Sequence, residues 1–160
     1  MVDLPMPGLR RPGAEPVFAE PVVADPHAPW QVAVGHDDAG LPVHVRWDPV
    51  ALAVSPVPGF ELQLGVTVPL AVGGEDGLPS PAEERRLASV EESLRESLEV
   101  GERARLVLVV TTRGVREFVA YAEDDDWVAG WVEEVRAELP DAQVMTQLDA
   151  SWNSLRYFTP

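Results

Sequence analysis

The spacing of apolar residues from Phe60 onward constrains the fold of this chain more than any other feature. Phe60, Leu62, Leu64, Val66, Val68 and Leu70 fall at every second position, the period of a half-buried strand. Glu61, Gln63, Gly65, Thr67 and Pro69 lie between them, which predicts one face in the core and a polar face bordering solvent. Gly73, Gly74, Gly77 and Pro79 predict a loop. Ser80-Pro81-Ala82-Glu83 then reads as a helix start, with Ser80 and Glu83 capping each other reciprocally and Pro81 at the first helical position. Leu87, Val90, Leu94 and Leu98 give that helix one apolar stripe, and Gly101 stops it. The continuous run Leu106–Val110 predicts a strand buried on both faces. A turn at Thr111–Gly114 returns the chain into a strand over Phe118–Ala122. A second helix carries Val128, Trp131, Val132, Val135 and Leu139 and ends at Pro140. Val144–Asp149 is the last strand, followed by a tail containing Trp and Tyr. The order β-α-β-β-α-β predicts an α+β, ferredoxin-like sandwich with both helices on one face of an antiparallel sheet.

The chain before Phe60 differs in character. Residues 1–29 carry prolines at 5, 7, 12, 16, 21, 26 and 29. Proline has no backbone donor to give to a helix or sheet, so these residues read as a flexible arm, and 30–160 as a single domain. Pro26-His-Ala-Pro29 matches the spacing of proline-recognition ligands but reads as linker. Phe18, Val22 and Val23 are the residues able to pin the arm. From Trp30 to Trp47 two alternating segments flank Asp37-Asp38-Ala39-Gly40, predicting a hairpin that extends the sheet or wraps its edge. Pro49, Pro56, Pro58 and Gly59 read as a break.

Charge and composition exclude several functions. The chain has 27 acidic and 12 basic residues, a net charge of −15, and no cysteine. Nucleic-acid backbones and anionic membranes both call for clustered positive charge, so neither is an expected partner. Without cysteine there is no disulfide, thiol nucleophile or thiolate metal site. The longest uncharged stretch, Leu62–Gly74, falls short of the ~20 apolar residues of a membrane helix. Arg10-Arg11 is not followed by an apolar segment that would make it a secretion signal. The chain reads as cytoplasmic.

Few residues suggest chemistry. Glu123-Asp124-Asp125-Asp126 has the composition of a divalent-cation site but lacks calcium-loop spacing, and reads as the acidic start of a helix. His36 and His44 flank one turn, with Asp37 and Asp38 nearby, and His27 lies in the arm; a zinc site needs three or four converging ligands. No nucleophile elbow, phosphate loop or dinucleotide fingerprint occurs. No catalytic residue, cofactor or metal is expected. On the sheet face away from the helices, Val107, Val109, Val119, Tyr121 and Met145 are expected to form an apolar patch. It is covered by the hairpin or the arm, or it is left for a protein partner or a second copy.

Four segments carry a family resemblance. They are Asp38-Ala-Gly-Leu-Pro-Val-His-Val45, Gly77-Leu-Pro79 with Glu83 and the Leu87–Leu98 helix, Thr112-Arg-Gly-Val-Arg-Glu-Phe-Val-Ala-Tyr121, and Asp149-Ala-Ser-Trp152. In order and spacing they resemble the bacterial domain-of-unknown-function family six-nine-five, over residues 30–158. The resemblance implies no established activity. In some bacteria the family's domain is fused to a domain similar to the ribonuclease E inhibitor, regulator of ribonuclease activity B. That inhibitor is a small acidic ferredoxin-like protein that acts by protein contact, so inhibition of a ribonuclease is implied only by analogy. The tail here departs from the family by inserting Asn153-Ser-Leu-Arg before Tyr157.

Asp149, Trp152 and Tyr157 remain as candidate motif positions. Asp149 is suited to cap the following turn. Trp152 is suited to bury its ring at the sheet edge while its indole N–H meets a carbonyl. The expected function is a non-enzymatic interaction or regulatory domain of a bacterial cytoplasmic protein, binding protein or itself through the open sheet face or a strand edge. The alternative is a small enzyme or ligand-binding protein with its site near Asp124–Asp126 and Asp149/Trp152.

Overall fold

The computed structural model describes residues 17–18, 30–71 and 74–160. Most of the proline arm, its Pro26–Pro29 motif, Val22, Val23 and His27 lie outside the described residues. The two-residue strand β1 (Val17–Phe18) pairs antiparallel with Gly35 and His36. The expected hairpin is present as β2 (Gln31–His36) and β3 (Pro42–Trp47). Its turn is held by the Asp37 carboxylate, which accepts the amides of Ala39 and Leu41 at 2.9 Å each. The hairpin extends the sheet, because β3 pairs along β5 (Ala104–Thr112).

The other elements follow the expected sequence of periods. Strand β4 spans Leu62–Pro69, helix α2 Pro81–Glu99, strand β6 Val115–Ala122, helix α3 Trp127–Glu138 and strand β7 Gln143–Leu148. Ser80 Oγ accepts the Glu83 amide at 3.2 Å. The reciprocal half of the predicted cap is absent. The Glu83 carboxylate instead accepts the Ala71 amide at 2.9 Å and pairs with Arg86. The Arg86 guanidinium thereby holds this carboxyl below its ordinary pKa against the opposing effect of burial. Gly101 stops the helix region at φ 70°, a backbone that glycine adopts without a side-chain penalty.

Among the described residues the sheet has seven antiparallel strands in the order β1-β2-β3-β5-β6-β4-β7. Helices α2 and α3 cover one face. Leu87, Leu94 and Leu98 of α2 and Val128, Trp131 and Val135 of α3 enter one core with Leu62, Leu64, Val66, Leu106, Phe118 and Ala120. The Trp131 indole N–H donates to Ser97 Oγ at 3.0 Å, tying the two helices together.

Three expectations need correction. First, β4 does not border solvent. It lies between β6 and β7, and both of its faces are buried, Gln63 at 0 % and Thr67 at 4 % exposure. Polar residues were buried here by cover on the second face, which alternation alone cannot reveal. Second, the proline-containing break contains helix α1 (Pro49–Val54). Asp48 caps it by accepting the amides of Val50 and Ala51, and Pro49 occupies the first turn, where a missing N–H costs no hydrogen bond. Third, the tail is helical: Asn153–Phe158 forms α4.

Candidate functional site

The second face of the sheet is closed from within the chain. Val107, Val119 and Tyr121 are fully buried there, packed with Ala51 of α1 and with Leu155 and Phe158 of α4. The apolar patch expected on this face is therefore not an exposed surface. Val109 does not belong to it. A β-bulge between Leu106 and Leu108 inserts one residue into β5, so that Val107 and Leu108 both join the second core while Val109 turns to the helices. A bulge reverses the alternation of every later residue in its strand. Met145 is half-buried and stands opposite Gly65; a Cβ on Gly65 would lie 2.9 Å from Met145 Cγ.

Asp149, Tyr121 and Trp152 meet on this face. The Asp149 amide donates to the Glu61 carbonyl at 2.8 Å, fixing the end of β7 against β4. Its carboxylate accepts the Tyr121 hydroxyl at 2.7 Å and the amides of Asn153 and Ser154 at 3.0 and 3.2 Å. The same carboxylate thus caps α4 and satisfies a buried phenol. Burial, and then the adjacent Asp149 charge, push the Tyr121 pKa far above its ordinary value, so the phenol stays a donor. Trp152 stacks on Tyr121 with ring centroids 4.2 Å apart and planes 7° apart. Its indole N–H donates to the Phe60 carbonyl at 2.7 Å. Trp152 has φ 54° and ψ 43°, a left-handed backbone that is costly for a bulky residue and persists only where its surroundings over-determine it. Here the stack and the indole bond do so.

Two further polar groups extend the cluster. Gln63 Oε1 accepts Ser154 Oγ at 2.9 Å and Gln147 Nε2 at 3.0 Å. Tyr157 packs beside the second core and meets Phe158 edge-on at 4.7 Å. The geometry makes the Asp149–Trp152 motif a lock between strand β7, strand β4 and helix α4. Its carboxylate and ring are spent on internal bonds.

The remaining candidates stand apart from the lock. Asp124, Asp125 and Asp126 are exposed and precede α3, which packs on the first face, whereas Asp149 serves the second. No group of three metal-ligating side chains occurs among the described residues. His44 is half-buried and His36 exposed; burial lowers the His44 pKa. His44 lines a groove of about 530 Å³ between α2 and the β2–β3 extension. The arginines of that groove are each paired with a glutamate that lines it. Arg116 binds Glu84 through both terminal nitrogens at 2.9 and 2.8 Å, and Arg46 and Arg95 share Glu91. Arg105 pairs with Asp48 and Arg113 with Asp37, so these hairpin arginines are bound to acids and do not form a basic patch.

Sequence reasoning missed Glu117. It is fully buried on β6 across the ladder from Thr67 and Val110. Among the described residues its oxygens have no partner in ordinary hydrogen-bond geometry beyond the Thr67 side chain. Burial raises its pKa well above the ordinary carboxyl value, and the Thr67 side chain offsets this only in part. A Glu flanked by Arg116 and Phe118 reads from sequence as a solvent-facing position.

One part of the sheet stays open. Strand β7 pairs only with β4 among the described residues. Gln143-Val-Met-Thr-Gln-Leu148 carries no charge, proline or glycine, and Leu148 is 65 % exposed. Natural edge strands usually carry such residues, or a bulge or cover, to prevent pairing with another chain.

The molecule is thus an α+β protein with an antiparallel sheet carrying helices on both faces, whose polar cluster serves the scaffold. The chain belongs to the family of unknown function DUF695, whose model matches residues 28–158. No curated protein and no solved structure matches it.

Proposed function

We propose that this chain is a non-enzymatic protein-interaction or regulatory domain of a bacterial cytoplasmic protein, and that it recognises its partner through the outer edge of β7. The observation that carries this reading is the uncharged, unprotected β7 edge with Leu148 beside it. A partner strand added there gains main-chain hydrogen bonds, and Leu148 supplies side-chain selectivity. The arrangement β5-β6-β4-β7 with α2 and α3 on one side supports reading this part as a ferredoxin-like unit, of which β7 is an edge. The net charge of −15 keeps nucleic acid away.

The test compares the wild-type chain with Leu148→Arg, both checked for the same fold by circular dichroism. Leu148 is exposed, so the variant keeps the core intact. Proteins that bind the wild type are expected to lose affinity for the variant by roughly tenfold or more, as burial of a leucine side chain implies. Equal retention by both chains overturns the edge reading.

A further inference from the structure

We infer that the occupant of the β7 edge is a second copy of this chain, paired antiparallel about a two-fold axis at Thr146. This rests on the edge reading above and adds the partner and the register.

Strand parity restricts where the axis can lie. In a two-fold antiparallel pair, residues i and j face each other and must share both a sheet face and an outward hydrogen-bonding direction. Both properties alternate along a strand, so i + j is even and the axis passes through a residue. An axis at Thr146 sets Val144 against the partner's Leu148, and Leu148 against the partner's Val144. Both side chains lie on the helix face: Val144 packs against the first core, and Leu148 stands opposite Leu62 of that core. Leu148, the most exposed large apolar side chain among the described residues, thereby gains an apolar cross-strand neighbour twice over. On the other face, Met145 meets the partner's Gln147. An axis at Met145 instead sets Leu148 against Ala142, outside β7, and Val144 against Thr146. Thr146 is the centre that sets Val144 and Leu148, both within β7, against each other.

Nothing in the strand opposes the pairing. Gln143–Leu148 has no charge to set against its own copy, and the opposite edge of the sheet is already continued by β1. The opposing force is long-range: each copy carries a net charge of −15. Repulsion of this kind is screened by salt. The dimer therefore tightens as ionic strength rises, the reverse of an association held by ion pairs. A single short ladder lies below the standard interface size, so the dimer is weak, with a Kd on the order of micromolar or above.

Sedimentation equilibrium of the full chain, at low and at moderate salt, reads the association directly. The expected result is a monomer–dimer equilibrium that strengthens with salt and weakens by roughly tenfold or more in Leu148→Arg. The chain has no native cysteine, so single-cysteine variants report the register. Thr146→Cys sits on the axis, where facing Cβ atoms are ~5 Å apart, and is expected to cross-link with a short thiol reagent. Glu92→Cys, exposed on α2, is expected to stay monomeric. A strict monomer at both salts, or equal cross-linking of the two variants, overturns the second-copy assignment. Partner binding that is lost in Leu148→Arg while the chain stays monomeric overturns this inference alone and leaves the edge reading standing. Partner binding indifferent to Leu148→Arg overturns the edge reading.

Discussion

Trp152→Ala lowers the free energy of unfolding by ~3–5 kcal/mol, the cost of removing a large buried ring. Trp152 is 2 % exposed and holds three contacts at once. Its ring covers Tyr121, its indole N–H satisfies the Phe60 carbonyl, and its amide closes the turn on the Asp149 carbonyl at 3.0 Å. Alanine keeps only the last. It must also retain the left-handed backbone at φ 54° without the contacts that enforce it, so α4 detaches in the same step. Trp152→Phe separates these effects, since it keeps most of the stack and loses only the bond to Phe60. Its expected cost is ~1–3 kcal/mol, that of an unsatisfied buried carbonyl. Urea denaturation followed by tryptophan fluorescence and far-ultraviolet circular dichroism measures both. A Trp152→Ala chain as stable as the wild type would mean that the tail does not close the second face.

The second large effect is a pH dependence. Glu117 has a raised pKa in the folded state because burial penalises its charged form. In the unfolded chain it titrates near its ordinary value of 4.5. Between those two values the folded chain keeps a proton that the unfolded chain releases, so stability falls as pH rises through this window, by ~1.4 kcal/mol per pH unit. Below the unfolded value both states are protonated, and this contribution vanishes. Glu117→Gln removes the titration while keeping the shape of the side chain. The variant is expected to lose stability less steeply than the wild type above pH 4.5, and its advantage grows with pH. Denaturation midpoints at a series of pH values give the difference in slope. Parallel slopes would show that Glu117 is not a buried neutral acid.

The sequence made the long elements legible because each spans enough residues to repeat its period. The stripe Leu87, Leu94 and Leu98 and the cap at Ser80 were readable for that reason. Helices α1 and α4 were not, since six residues complete fewer than two turns. Yet α1 carried a local signal, Asp48 before Pro49, which the surrounding prolines obscured. The cap of α4 comes from Asp149, outside the usual position immediately before the first turn. The placement of Val109 failed for a different reason: a bulge has no composition of its own in an all-apolar run such as Leu106–Val110. Reading Gln63 and Thr67 as solvent-facing failed because alternation reports polarity, and a polar side chain is buried readily when a partner such as Ser154 meets it. The Asp149–Trp152 motif was legible down to its two bonds, since a short acid and an indole have few ways to be satisfied at a strand end.

Helices α1 and α4 cover the sheet face opposite α2 and α3. Amide hydrogen exchange on the dilute chain tests it most directly. The account predicts that the amides of Asn153 and Ser154, held by the Asp149 carboxylate, exchange as slowly as those of Val119 and Tyr121 on β6. Exchange of 153–158 at the rate of an unstructured peptide, with β6 still protected, would contradict it and return the second face to solvent.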